Sequence, residues 1–137
     1  MLGIDVSKDR LSVCQWDGSR GCARAAWETS NSEAGVRELL ATTSAEEPLA
    51  VEPTGRYSEL VVREAQAQGR QVLLAPPRAA KQFLASVAPR AKTDRLDAQG
   101  LAQYAASVPL RPFVLKEARM EEVSQLLNAR KLLALSL

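Results

Sequence analysis

Four acidic residues stand where chemistry could use them: Asp5, Glu52, Asp94 and Asp97. Asp5 interrupts an apolar run between Ile4 and Val6, and Glu52 ends the run Leu49-Ala50-Val51 just before Pro53-Thr54-Gly55. Asp94 and Asp97 lie three apart, so on a helix they project from nearby faces of one turn. Each has an ordinary reading. Asp5 can accept backbone hydrogen bonds at a strand end, and Glu52 can be a solvated loop acid. Asp94 can be an N-cap with Asp97 as an N3 acid, both favoured by the helix dipole. Gathered in one cleft, the four would repel and raise one another's pKa unless a cation sat between them. Hard divalent ions such as Mg²⁺ and Mn²⁺ take oxygen ligands. Two such ions about 3.5–4 Å apart can stabilise the attacking and leaving oxygens of phosphodiester chemistry.

The rest of the composition removes competitors. The chain has no histidine, which excludes a Ser-His-Asp or Cys-His triad. Two cysteines, Cys14 and Cys22, are too few for a closed zinc site. They flank a turn near Gly18 and could face each other across a hairpin as half-buried reduced thiols. The sequence shows no signal peptide, since Asp5 falls where an apolar core would sit, and no apolar run nears the ~20 residues of a bilayer span. The expectation is a cytoplasmic protein. With 137 residues, 46% hydrophobic and 25% charged, the chain suits one globular domain. A formal charge of +2 permits a polyanionic partner without requiring one. Lys8, Arg56, Arg78, Lys81, Arg90, Lys92 and Arg95 fall at or near expected strand ends and loops, where they could contact phosphates or be plain solvated surface.

The elements that must position these groups are legible in outline. Leu2–Val6 reads as a buried strand, and Leu11, Val13 and Gln15 alternate with Ser12, Cys14 and Trp16 in a second. Asp17-Gly18 signals a hairpin turn into a third strand over Cys22–Trp27. Asn31 or Ser32 caps a helix whose apolar face is Val36, Leu39 and Leu40. Leu49–Val51 is a strand ending at Glu52, and a helix follows from about Tyr57 to Gln68, with Leu60, Val61, Ala65 and Ala67 inward and Gly69 after its end. Gln71–Ala75 is a fifth strand. A helix over Arg78–Val87, the basic loop Pro89–Thr93 and a helix from Asp94 to about Ala106 complete the pattern. Three strands able to form a meander, then alternating helix and strand, imply an α/β domain with a mixed sheet. In such sheets ligands bind at the carboxyl ends of the strands, where Asp5 and Glu52 would meet if their strands are neighbours.

Three segments carry a family resemblance. Gly3-Ile4-Asp5-Val6-Ser7-Lys8 resembles the first strand of the DEDD insertion-sequence transposases, relatives of the Piv-type DNA invertases. Val51-Glu52-Pro53-Thr54-Gly55-Arg56-Tyr57 is similar to their second acidic motif, and Ala91-Lys92-Thr93-Asp94-Arg95-Leu96-Asp97-Ala98 to their third. Pro77, Lys81 and Phe83 fall in a further similar stretch, with Pro76 in place of a more usual asparagine and Pro53 in place of a small residue. The resemblance spans residue 2 to about 115. It implies a ribonuclease-H-like (RuvC-like) fold and magnesium (or manganese) at a site with two ions held by Asp5, Glu52, Asp94 and Asp97. It also implies cleavage and joining of DNA strands in transposition or inversion and, for many relatives, guidance by a structured RNA.

Family members are usually more than twice this length, with a second domain bearing a nucleophilic serine; no serine here takes that role. The expected division is residues 1–115 as the catalytic domain and 116–137 as a helix leading toward a coiled coil or a further domain. Val123, Leu126, Leu127, Leu132, Leu133 and Leu137 give that helix an apolar stripe for packing or homo-oligomer formation. A non-cleaving nucleic-acid-binding and dimerisation module is the alternative. An actin-like or sugar-kinase ATPase would need glycine-rich phosphate loops, for which Asp17-Gly18-Ser19-Arg20-Gly21 is a poor substitute.

Overall fold

The structure, a computed structural model, describes residues 1–53, 55–87 and 97–110. Five strands form one sheet in the order β3-β2-β1-β4-β5: β1 Leu2–Val6, β2 Arg10–Asp17, β3 Cys22–Ser30, β4 Leu49–Val51 and β5 Val72–Leu74. β1, β2 and β3 pair antiparallel, whereas β4 and β5 run parallel to β1. Helices α1 Glu33–Thr42, α2 Glu59–Ala67, α3 Pro77–Val87 and α4 Ala98–Ser107 cover the sheet, and a 3₁₀ turn over Gly55–Ser58 leads into α2. The mixed sheet with its antiparallel meander is the expected ribonuclease-H-like, RuvC-like arrangement.

Strand alternation divides the core between the two sheet faces. On one face Leu2, Ile4, Val6, Leu11, Val13, Leu49, Val51 and Val72 pack under Val36, Leu39 and Leu40 of α1 and Val61, Val62 and Ala65 of α2. Fully burying one such aliphatic side chain contributes about 1.5–3 kcal/mol, so this face supplies most of the fold's driving force. The other face is built from smaller residues, and α4 lies close against it. Gly3 shows how close: a Cβ there would stand 2.0 Å from the Ala98 carbonyl oxygen and 2.6 Å from the Ala102 nitrogen. Beside it Ala50, Leu73 and Ala75 meet Ala80 of α3 and Leu101, Tyr104 and Ala105 of α4, with Phe83 edge-on to Tyr104.

Local chemistry sets the element ends. Ser32 caps α1 by accepting from the Gly35 amide at 3.1 Å, so of the two cap candidates the serine serves and Asn31 does not. Gly69, at φ +74°, ends α2 as expected, and Arg70 closes the end of α1 from below. Its guanidinium is buried and donates to the carbonyls of Leu40 and Glu47 and to the Thr43 hydroxyl. Burial lowers the Arg70 pKa from its ordinary value, against the pull of Glu47.

Several details differ from expectation. The β2–β3 connection is a four-residue loop, Gly18–Gly21, held by the Asp17 carboxylate accepting from Ser19 and Arg20. Together with a register shift at Gln15/Trp16, it pairs Cys14 with Ala26 and Cys22 with Asp17. The cysteines therefore do not face each other; Cys14 is buried and Cys22 exposed. In α2 Val61 and Ala65 are buried and Leu60 packs half-buried against the same core as expected, but Val62 joins them and Ala67 is exposed. The helix expected over residues 116–137 lies outside the described residues, as does the boundary near residue 115.

Candidate active site

β1 and β4 are parallel neighbours at the centre of the sheet, in register Leu2↔Leu49, Gly3↔Ala50 and Ile4↔Val51. Asp5 and Glu52 are the next residues on each. Two carboxylates thus sit at adjacent strand ends, on backbones about 4.8 Å apart. Both are half-buried. Asp5 is two residues from Gly3 and so shares the sheet face on which α4 lies; Glu52, two after Ala50, continues the same alternation.

α4 brings the third acid to that face. Its N-cap is Asp97, in extended backbone, with one carboxylate oxygen accepting from the Gly100 amide at 2.7 Å. The helix begins at Ala98, so the capping role suggested for Asp94 belongs to Asp97. The close approach of α4 to Gly3 carries this helix start to the middle of the sheet. Cys14, the β2 partner of Gly3, registers the result: burial first and the nearby Asp97 carboxylate second push its thiol pKa up.

Asp94 lies outside the described residues, together with Arg90, Lys92 and Arg95. Among the described residues no three of Asp, Glu and Cys come close enough together to hold a metal ion. The structure brings Asp5 and Glu52 side by side and sets Asp97 on the same face; it does not by itself close a three-acid cluster. The donor chemistry nevertheless suits Mg²⁺, which is commonly bound through one or two carboxylates while keeping several waters.

The cationic candidates share one end of the sheet. Lys8 is in the turn after β1, Arg56 in the 3₁₀ turn after β4, and Arg78 and Lys81 lie on α3 just after β5. All four are exposed. Arg56 lies over the Tyr57 ring at 5.3 Å, and contact with Tyr57 raises its pKa. Tyr57 is itself among the exposed large hydrophobic residues.

Sequence reasoning missed Asn31 as anything but a cap candidate. Its side-chain nitrogen donates to the carbonyl of Ser7, two residues after Asp5, at 2.8 Å and to that of Tyr57, five after Glu52, at 3.0 Å. The available signal was the pair Asn31-Ser32, two capping residues for one helix end.

A ribonuclease-H-like sheet with acids at the ends of its two central parallel strands defines a class of nucleic-acid-processing domains. The chain belongs within it to the transposase family DEDD_Tnp_IS110, whose model matches residues 2–136. No curated protein matches the chain. Among the described residues no helix is long and apolar enough to cross a membrane.

Proposed function

We propose that this chain is the strand-cleaving domain of a DNA transposase, with Asp5, Glu52, Asp94 and Asp97 as ligands of divalent cations, Mg²⁺ or Mn²⁺. The observation that carries the reading is the β1–β4 register, which makes Asp5 and Glu52 neighbours at the carboxyl edge of the sheet. Bound there, a pair of divalent ions supplies Lewis-acid stabilisation of the oxygens that attack and leave phosphorus. The chain's own groups do the rest. Asp5 and Glu52 offer hard oxygen donors from rigid strands, and Asp97 offers a carboxylate whose orientation is fixed by the Gly100 amide. Lys8, Arg56, Arg78 and Lys81 hold backbone phosphates over that edge, with Arg90, Lys92 and Arg95 assigned the same role from sequence. DNA is the substrate; a structured guide RNA as second partner, and a homo-oligomer formed through the C-terminal helix, belong to the same proposal.

The test is cleavage of branched and duplex DNA in Mg²⁺ by the chain and by Asp5→Ala. Cleavage that stops with chelation and with the substitution supports the reading. Retained DNA binding without cleavage by either protein favours the non-cleaving binding module instead.

A further inference from the structure

Asp5 and Glu52 sit on separate strands, and short strands fray where they end. β4 has only three residues, and Glu52 lies just past it. Something must hold the chain after β1 against the chain after β4, or the two carboxylates drift apart. We propose that Asn31 is a positioning residue of the carboxylate site, its amide tying the segment that follows Asp5 to the segment that follows Glu52.

The geometry is specific. Both hydrogens of the Asn31 side-chain amide are used, one on the Ser7 carbonyl at 2.8 Å and one on the Tyr57 carbonyl at 3.0 Å. Both acceptors are carbonyls, so the nitrogen must face them; the opposite flip would set oxygen against oxygen. The orientation has a cost, because the Asn31 oxygen is buried with no partner among the described residues. Asn31 is anchored in turn by its own backbone amide, which donates to the Asp9 carbonyl at 3.0 Å. Next to it, Ser32 caps α1. Gly35 lets that helix settle onto the β3 end, since a Cβ there would stand 2.0 Å from the Ser30 carbonyl oxygen. The edge strand and α1 thus deliver one amide to the gap between the two acid-bearing segments. Aspartate in its place keeps the shape but has no donor and sets a carboxylate against two carbonyls; alanine leaves both carbonyls unbridged.

This inference rests on the metal-site reading above, and the experiment separates the two. Mn²⁺ binding to the 137-residue chain is titrated by electron paramagnetic resonance, without DNA, for the unaltered protein and for Asp5→Asn, Asn31→Ala, Asn31→Asp and Ser32→Ala. Asn31→Ala and Asn31→Asp are expected to weaken Mn²⁺ by about tenfold or more, the scale seen when a partner that orients metal ligands is removed. Ser32→Ala removes a hydrogen bond from the same helix start, so it lowers Tm as a merely structural lesion does, yet is expected to keep Mn²⁺ affinity within about twofold of the parent. Asn31 variants that bind Mn²⁺ like the parent, while Asp5→Asn does not, overturn the inference and leave the metal reading standing. Equal losses in Ser32→Ala and Asn31→Ala, or failure of both Asn31 variants to fold, overturn it as well by making Asn31 a support of the fold in general. Undiminished Mn²⁺ binding in Asp5→Asn, or none in the parent, removes the metal reading and this one with it.

Discussion

Asp97 serves two ends, and the two can be separated by substitution. As an N-cap it accepts from Gly100, a role asparagine fills about as well as aspartate, whereas alanine costs about 1 kcal/mol. As a ligand it must carry charge, which asparagine lacks. Asp97→Asn is therefore expected to unfold in urea within about 0.5 kcal/mol of the parent while losing Mg²⁺-dependent cleavage, and Asp97→Ala to lose both. Full cleavage by Asp97→Asn would reduce Asp97 to a cap. Metal stabilisation of the transition state is worth several kcal/mol, so Asp5→Asn or Glu52→Gln should lower the cleavage rate by about a hundredfold or more. The cysteines give an independent check on burial. Cys22 is exposed, whereas Cys14 is buried and its thiol pushed up, disfavouring the reactive thiolate. Iodoacetamide at pH 8 should add one label to the folded chain, at Cys22, and two after denaturation; rapid double labelling of the folded chain contradicts the β2 register.

α4 is the element on which the site's third side depends, and Gly3 is where it can be displaced. A methyl group at Gly3 meets backbone, the Ala98 carbonyl and the Ala102 amide, which cannot swing aside as a side-chain tip can. Gly3→Ala should cost about 3 kcal/mol, the upper part of the overpacking range, and shift Asp97 away from the β1 end. Urea unfolding checks the first part; a loss under about 0.5 kcal/mol would mean that α4 sits further off. The elements themselves were legible from pattern. Leu2–Val6 is a short apolar run interrupted by one acid and Leu49–Val51 one followed by an acid, and both proved to be strands with the bounds expected. Which acid capped α4 was not legible, because Asp94 and Asp97 are both good caps and only the backbone decides. Nor was the cysteine pairing, since Asp17-Gly18 signals a hairpin without fixing its loop at four residues. The neighbour relation of β1 and β4 was a condition in the sequence and became a register only in three dimensions. Asn31 stayed hidden for the same reason: its two acceptors lie 24 and 26 residues away along the chain.

At the scale of the whole molecule, a charge of +2 says little about nucleic-acid binding, because placement decides what a phosphate backbone meets. Lys8, Arg56, Arg78 and Lys81 follow the carboxyl ends of three neighbouring parallel strands, the edge that carries Asp5 and Glu52. Arg20, Arg24, Arg37 and Arg63 lie elsewhere, on the β2–β3 loop, β3, α1 and α2, and the last two already pair with Glu33 and Glu59 on their own helices. Replacing either set by alanine leaves the same formal charge of −2, given the parent's +2. If binding answered to net charge alone, both quadruple variants would weaken it equally. Direct phosphate contacts behave differently: each one lost makes the slope of log K against log salt shallower by about 0.9 on duplex DNA. The strand-end variant should therefore flatten that slope by about 3–4 units, and the other by less than about one. Fluorescence anisotropy over about 50–200 mM salt, the range in which such contacts change affinity steeply, measures both. Equal slopes in the two variants would mean that DNA does not lie across the carboxyl edge of the sheet, and the phosphate-holding role of these four side chains would fall.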